Sequence, residues 1–195
     1  MANYWDLREA NVARDIEWTG GTPVSYTFRA AELHGEMGEI MDLFIDPEVA
    51  RPGTDVDPLE WGKKWTGDLR DELGDGFIVV DLTGMKLGFP TIPVDEETAR
   101  EEVLLPFLMH PTDTLFTLLG SRTGRICNTL KKLEREANGW VGSKADKYDA
   151  WPPLFEAHCI LRVLCKRFSL DPAEVTSAKF NRTSEKVGLT TRLLA

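Results

Sequence analysis

Apolar residues recur at helical spacing through most of the chain. Between residues 28 and 44, Leu33, Met37, Ile40, Met41 and Phe44 fall on one face of a 3.6-residue repeat, which predicts an amphipathic helix. Between 69 and 87 the chain is apolar almost all round, through Leu73, Phe77, Ile78, Val79, Val80 and Leu82. That run is too long for one strand and predicts a buried central helix. Residues 113–136 are amphipathic again, with Leu115, Leu119, Ile126, Leu130 and Leu133, and residues 154–168 form a second strongly apolar helix. Asp171-Pro172-Ala173-Glu174 supplies an N-cap, a first-turn proline and an acidic first turn. It opens a helix to about Val187, with Gly188 as its stop. Residues 4–18 and 95–105 are further helix candidates. No stretch alternates with period two, so the expected class is all-α.

Two segments interrupt the pattern. Residues 46–67 are rich in Pro, Gly and Asp and carry Trp61 and Trp65; residues 139–153 form a similar loop with Trp140 and Trp151. Each joins a helix to a more apolar one, which suggests an internal repeat. Its copies read Glu36-Met-Gly-Glu39-Ile-Met-Asp42 and Arg122-Thr-Gly-Arg125-Ile-Cys-Asn128. The expected organisation is two halves, residues 1–94 and 95–195, packed as one unit. Charge divides in the same place. Residues 1–95 hold 19 acidic and 8 basic side chains, a net −11, whereas residues 96–195 hold 13 and 15, a net +2. The whole chain is at −9, which disfavours a nucleic-acid partner.

Composition narrows the classes further. No apolar run approaches the ~20 residues of a bilayer span, and the N-terminus lacks the basic and apolar regions of a secretory signal. Cys127, Cys159 and Cys165 are odd in number and not spaced as C-x-x-C, so buried thiols in a reducing cytoplasm are expected. No G-x-x-x-x-G-K-[ST] occurs, which excludes a P-loop enzyme.

The candidate chemistry lies in the acidic half. Glu32, Glu36 and Glu39 stand at i, i+4 and i+7 on the flank of the apolar stripe, and Glu72 and Asp75 share a face of the next helix. Two such clusters facing each other beside a core are costly without a cation, and Mg²⁺ favours carboxylate oxygens. The alternative is a solvated acidic face. Gly38 and Gly74 lie inside these helices at about 1 kcal/mol each relative to Ala, which suggests close approach of a backbone or ligand.

The run Glu32-Leu-His-Gly-Glu36-Met-Gly-Glu39 with Asp71-Glu72-Leu-Gly-Asp75 resembles the ExxE and ExxD motifs of MazG-like, all-α nucleoside triphosphate pyrophosphohydrolases. Asn128-Thr-Leu-Lys131-Lys132-Leu is similar to the segment that follows ExxE in that family, and Ala178-Lys179-Phe180-Asn181 to its C-terminal motif. The family unit is a short domain that dimerises, so the resemblance implies two fused units forming a pseudo-dimer. The second unit departs from the pattern, with Arg122 and Arg125 in place of ExxE and Pro153-Leu-Phe-Glu156 in place of ExxD. One metal centre between the halves is expected.

The resemblance implies hydrolysis of a ribo- or deoxyribonucleoside triphosphate to the monophosphate and diphosphate, with Mg²⁺, or Mn²⁺ in its place. Glu36, Glu39, Glu72 and Asp75 are the expected metal ligands, and Glu32 a supporting carboxylate or base. Lys179, Asn181, Lys131, Lys132 and Asn128 are expected to grip the triphosphate, with Arg122 and Arg125 as further phosphate partners. His34, Trp61 and Trp65 are candidates for holding the base, against core or structural roles for each. A dUTPase-like or phosphoribosyl-ATP pyrophosphohydrolase activity, a catalytically silent nucleotide-binding protein, and a homodimer of pseudo-dimers are the other readings carried forward.

Overall fold

The computed structural model describes residues 2–45, 57–92, 101–142 and 144–194. Its helices are α1 (Leu7–Thr19), α2 (Tyr26–Ile45), α3 (Pro58–Leu87), α4 (Glu101–Leu108), α5 (Thr112–Ala137), α6 (Trp151–Arg167) and α7 (Pro172–Lys186). A short 3-10 turn over Lys147–Ala150 leads into α6. The fold is all-α, with one addition that the pattern did not predict. Strands β1 (Ala2–Tyr4) and β2 (Thr191–Leu193) pair in parallel, with Ala2 opposite Thr191 and Tyr4 opposite Leu193. Three residues are too few for a period-two pattern to register. Tyr4 therefore belongs to a strand, and the first helix starts at Leu7 behind the Asp6 cap.

Helix α3 is the central element, packed against α1, α2, α6 and α7, while α2 also packs along α5. The main core joins both halves of the chain. Leu33, Met37 and Ile40 from α2 and Leu69, Leu73 and Phe77 from α3 meet Leu119, Ile126 and Leu130 from α5 and Leu161 and Leu164 from α6. All are essentially inaccessible to solvent. A smaller core unites α1, α3, α7 and β2 through Leu7, Ala10, Ile78, Leu82, Phe180 and Leu193. Polar contacts fix α1 on α3: buried Asp81 accepts from Arg8 Nε at 2.9 Å and from Asn11 Nδ2 at 2.9 Å.

The loop expected over 46–67 is shorter than its composition suggests. Residues 46–56 lie outside the described residues, and α3 already begins at Pro58. Asp57 caps it by accepting from Leu59 N at 2.8 Å, with Pro58 in the first turn. Trp61 and Trp65 are therefore helical. Most of the candidate helix over 95–105 also lies outside the described residues; its end falls in α4. The 139–153 loop closes sooner too, because α6 starts at Trp151.

The two interior glycines differ. A Cβ on Gly74 would lie 2.6 Å from the Val175 carbonyl oxygen and 2.7 Å from Lys179 Cβ, so α7 crosses α3 at a distance only glycine permits. A Cβ on Gly38 would have nothing within 4 Å, so no other backbone among the described residues approaches closely there.

Candidate metal centre and adjoining cavity

Where α2 crosses α3, Glu36, Glu39 and Glu72 each place a carboxylate oxygen within 4.8 Å of the other two. Glu36 and Glu72 are half-buried, and Glu39 is exposed. Oε2 of Glu72 is buried without a hydrogen-bond partner. Burial, followed by the like charges of Asp75, Glu39 and Glu72, pushes the Glu36 carboxyl up to about 7. Burial also raises Glu72 to about 7; Lys179 opposes the shift, and Glu39 adds to it by charge and by a hydrogen bond. A cluster of hard oxygen donors with one buried oxygen lacking a partner fits a hard divalent cation.

Asp75 is engaged differently. It forms an ion pair with Lys179 Nζ at 2.6 Å, both side chains being 18% exposed. Burial raises the Asp75 carboxyl, and Lys179 pulls it back. The packing at Gly74 is what brings Lys179 to this level of α3. Of the four expected ligands, three converge; the fourth is adjacent and held by a lysine from the other half.

Beside these carboxylates lies a cavity of about 480 Å³ between α1, α2, α3 and α7. Glu36 and Asp75 stand on its wall, with Ile78, Val79 and Leu82 as an apolar floor. Trp18 and Phe28, each about half exposed, flank it. Two buried arginines also line it. Arg29, 2% exposed, donates to Asp15 at 2.5 Å and to Glu32 at 2.7 Å. Arg14, 5% exposed, lies with its guanidinium 3.7 Å from the Phe180 ring centre. Glu32 is thus on the cavity wall as the partner of Arg29.

The remaining expectations fare unevenly. Asn181 does not face the cavity; its side chain donates to the Leu193 carbonyl at 2.7 Å and accepts from Leu193 N at 2.8 Å, so it anchors β2. Arg122 is paired with Glu156, an ion pair between α5 and α6. Asn128, Arg125, Lys131 and Lys132 are exposed on α5, and none lines the cavity. They sit on α5, which packs along α2 and contributes no residue to the cavity lining. His34 is exposed on α2 and does not reach the cavity. Trp65 is a packing residue: Nε1 donates to the Leu43 carbonyl at 2.9 Å, and the ring meets Phe44 and Phe168 edge-on. Trp61 stacks on Trp65. The aromatic flanks of the cavity come from Trp18 and Phe28 instead.

Arg14, Asp15, Trp18, Phe28 and Arg29 were not singled out from the sequence. Their signal was faint: Asn11 and Arg14 fall on the core-facing stripe of α1, where polar residues are out of place unless paired or used. No family model, curated protein or solved structure matches the chain.

Proposed function

We propose that the chain is a MazG-like nucleoside triphosphate pyrophosphohydrolase, converting (d)NTP and water to (d)NMP and diphosphate. The observation that carries this reading is the convergence of Glu36, Glu39 and Glu72 on one point, beside a cavity of nucleoside size that opens against Glu36 and Asp75. The resemblance of the segments that carry these same residues to ExxE and ExxD motifs adds to it. Glu36, Glu39 and Glu72 would hold Mg²⁺, or Mn²⁺, and Asp75 would join them once Lys179 turns away. Such a cation, when bound, neutralises phosphate charge and lowers the pKa of its water.

The chain's own residues then have distinct tasks. The cavity receives the nucleoside, whose base lies against Trp18 and Phe28 and excludes water from the apolar floor. This fixes the α-phosphate next to the carboxylate cluster, which is the orientation that hydrolysis at that phosphorus requires. Lys179, half-buried and positively charged, neutralises Asp75 in the free protein and would turn to the substrate's phosphates when Asp75 joins the cation. Glu36 and Glu72, both raised to about 7 in the free protein, share protons near neutral pH that a bound cation would displace.

The pseudo-dimer reading has a matching contrast. At the crossing of α2 and α3 the facing side chains are carboxylates; at that of α5 and α6 they are Arg122 and Glu156. An internal ion pair takes the place of a cation, so we assign one centre per chain. Free Cys127, Cys159 and Cys165 fit a reducing cytoplasm.

The test is product analysis with Mg²⁺ and a panel of ribo- and deoxyribonucleoside triphosphates, including dUTP, and phosphoribosyl-ATP. Glu39→Ala and Glu72→Ala are expected to cut diphosphate release by about a hundredfold or more while leaving the helical circular dichroism intact. Loss of helicity in both variants would assign these residues to structure. Nucleotide-dependent thermal stabilisation without diphosphate release would replace the enzyme with a silent binder.

A further inference from the structure

Arg14 is a buried cation held by long contacts, with the charges of Asp75, Glu32 and Asp15 nearby. A guanidinium has five N–H donors, and burying one with its donors unmet is costly. Yet its two hydrogen bonds are long: 3.4 Å to the Phe180 carbonyl and 3.5 Å to Asn11 Oδ1. It makes no ion pair among the described residues, whereas its neighbour Arg29 makes two. Burial lowers Arg14 only to about 10, so it stays charged at neutral pH. Stacking on Phe180 covers one face of the guanidinium plane, the Trp18 ring centre lies 5.9 Å from it, and Arg14 is one of the charged residues lining the cavity.

Acceptors stand in the same cavity. Arg29 takes one oxygen of Asp15 and one of Glu32, which fixes both carboxylates in place. Their second oxygens carry no hydrogen bond among the described residues, and both residues line the cavity. The wall thus offers a rigid donor fork together with oriented carboxylate oxygens, between apolar and aromatic surfaces.

We propose that this cavity selects a guanine base, with Arg14 donating to its O6/N7 edge and the free oxygens of Asp15 and Glu32 accepting from its N1–H and N2–H groups. Guanine alone among the common bases presents two adjacent acceptors on one edge and two adjacent donors on the next. Arginine paired with O6/N7 is a favoured match. The other bases leave at least one member of this set unpaired, which a site built of buried polar groups penalises heavily. The proposal rests on the nucleotide reading above for the presence of a base, and it is tested without turnover.

The probes are GMP, IMP, 7-deaza-GMP, AMP, CMP and UMP, titrated into the full-length chain without divalent cation, with binding followed by calorimetry and by tryptophan fluorescence. GMP is expected to bind at least tenfold more tightly than AMP, CMP or UMP. Removing the ring nitrogen N7 (7-deaza-GMP) or the exocyclic amine (IMP) is expected to cost five- to a hundredfold each. Arg14→Met should abolish the preference for GMP over AMP. If that variant fails to fold, the two analogues test the same contacts on the unaltered protein. Equal binding of all six monophosphates, or binding of none, overturns the proposal. So does an Arg14→Met variant that weakens all of them by the same factor, which would assign Arg14 to the phosphate. Diphosphate release measured in parallel separates the two ideas. Release with no base preference leaves the reaction standing and removes the guanine assignment; a GMP preference with no release does the reverse.

Discussion

Glu36 and Glu72 differ from the carboxylates of a solvated acidic face in being half-buried beside like charges. Both are raised to about 7 from an ordinary 4.5, with burial as the leading cause. Between these values the folded chain holds more protons than the unfolded one. Stability therefore falls as pH rises through that window, and the loss is complete above it. A divalent cation competes with the same protons. Without it, the thermal midpoint is expected to be higher at about pH 5.5 than at about pH 8; with Mg²⁺ the increase should be larger at the higher pH. A midpoint insensitive to both variables would mean that the cluster is neither strained nor a cation site. Lys179 supplies the complementary case. Lys179→Met leaves Asp75 without its counter-charge and is expected to cost about 1–3 kcal/mol in the metal-free protein by denaturant titration. Added Mg²⁺ should recover part of that loss, because Asp75 is then released to the cation.

Helix packing makes opposite forecasts for two glycines that look alike in sequence, Gly74 where α3 crosses α7 and Gly38 on α2. Gly74→Ala forces a methyl group against the Val175 carbonyl and Lys179, and is expected to destabilise by about 1–3 kcal/mol despite the better helix propensity of alanine. Gly38→Ala meets open space and should stabilise by up to about 1 kcal/mol. Chemical denaturation of the two variants checks both signs. The helices themselves were legible wherever burial imposes a period, as in Leu33 to Phe44 and Leu69 to Leu87. Starts were legible less evenly. Asp171-Pro172 was read as a helix opening, but Asp57-Pro58, which has the same chemistry, was lost among neighbouring loop-forming residues. The carboxylate centre was legible because its members sit at helical spacing on two adjacent helices. The cavity wall was not. Arg14 and Trp18 meet Phe28 and Arg29 only after α1 docks on α3 through Arg8 and Asn11, a tertiary event whose local trace is only the polar residues on the core-facing stripe of α1. The same reason explains Trp61 and Trp65: an aromatic pair beside an acidic motif reads equally well as a base platform or a packing cluster until Phe44 and Phe168 are in place.

The main core is assembled largely from two hairpin-like pairs, α2 with α3 and α5 with α6, and the charge split along the chain follows that division. No described helix is long and apolar enough to cross a membrane. The pairs differ most at their crossings, where one sets carboxylate against carboxylate and the other sets Arg122 against Glu156. In energy-landscape terms, carboxylate against carboxylate is a frustrated contact and an ion pair a relaxed one. Frustration placed this way gives the fold a soft side and a stiff side. Native-state hydrogen exchange should find amides near Glu36 and Glu72 opening more readily than those near Arg122 and Glu156, and Mg²⁺ should close the gap by slowing exchange on the first side alone. Uniform protection across both crossings would contradict this. If the gap is found, the second pair serves as the anvil against which the first can afford to be unstable, and the stability given up at the carboxylates becomes the free energy available for binding there.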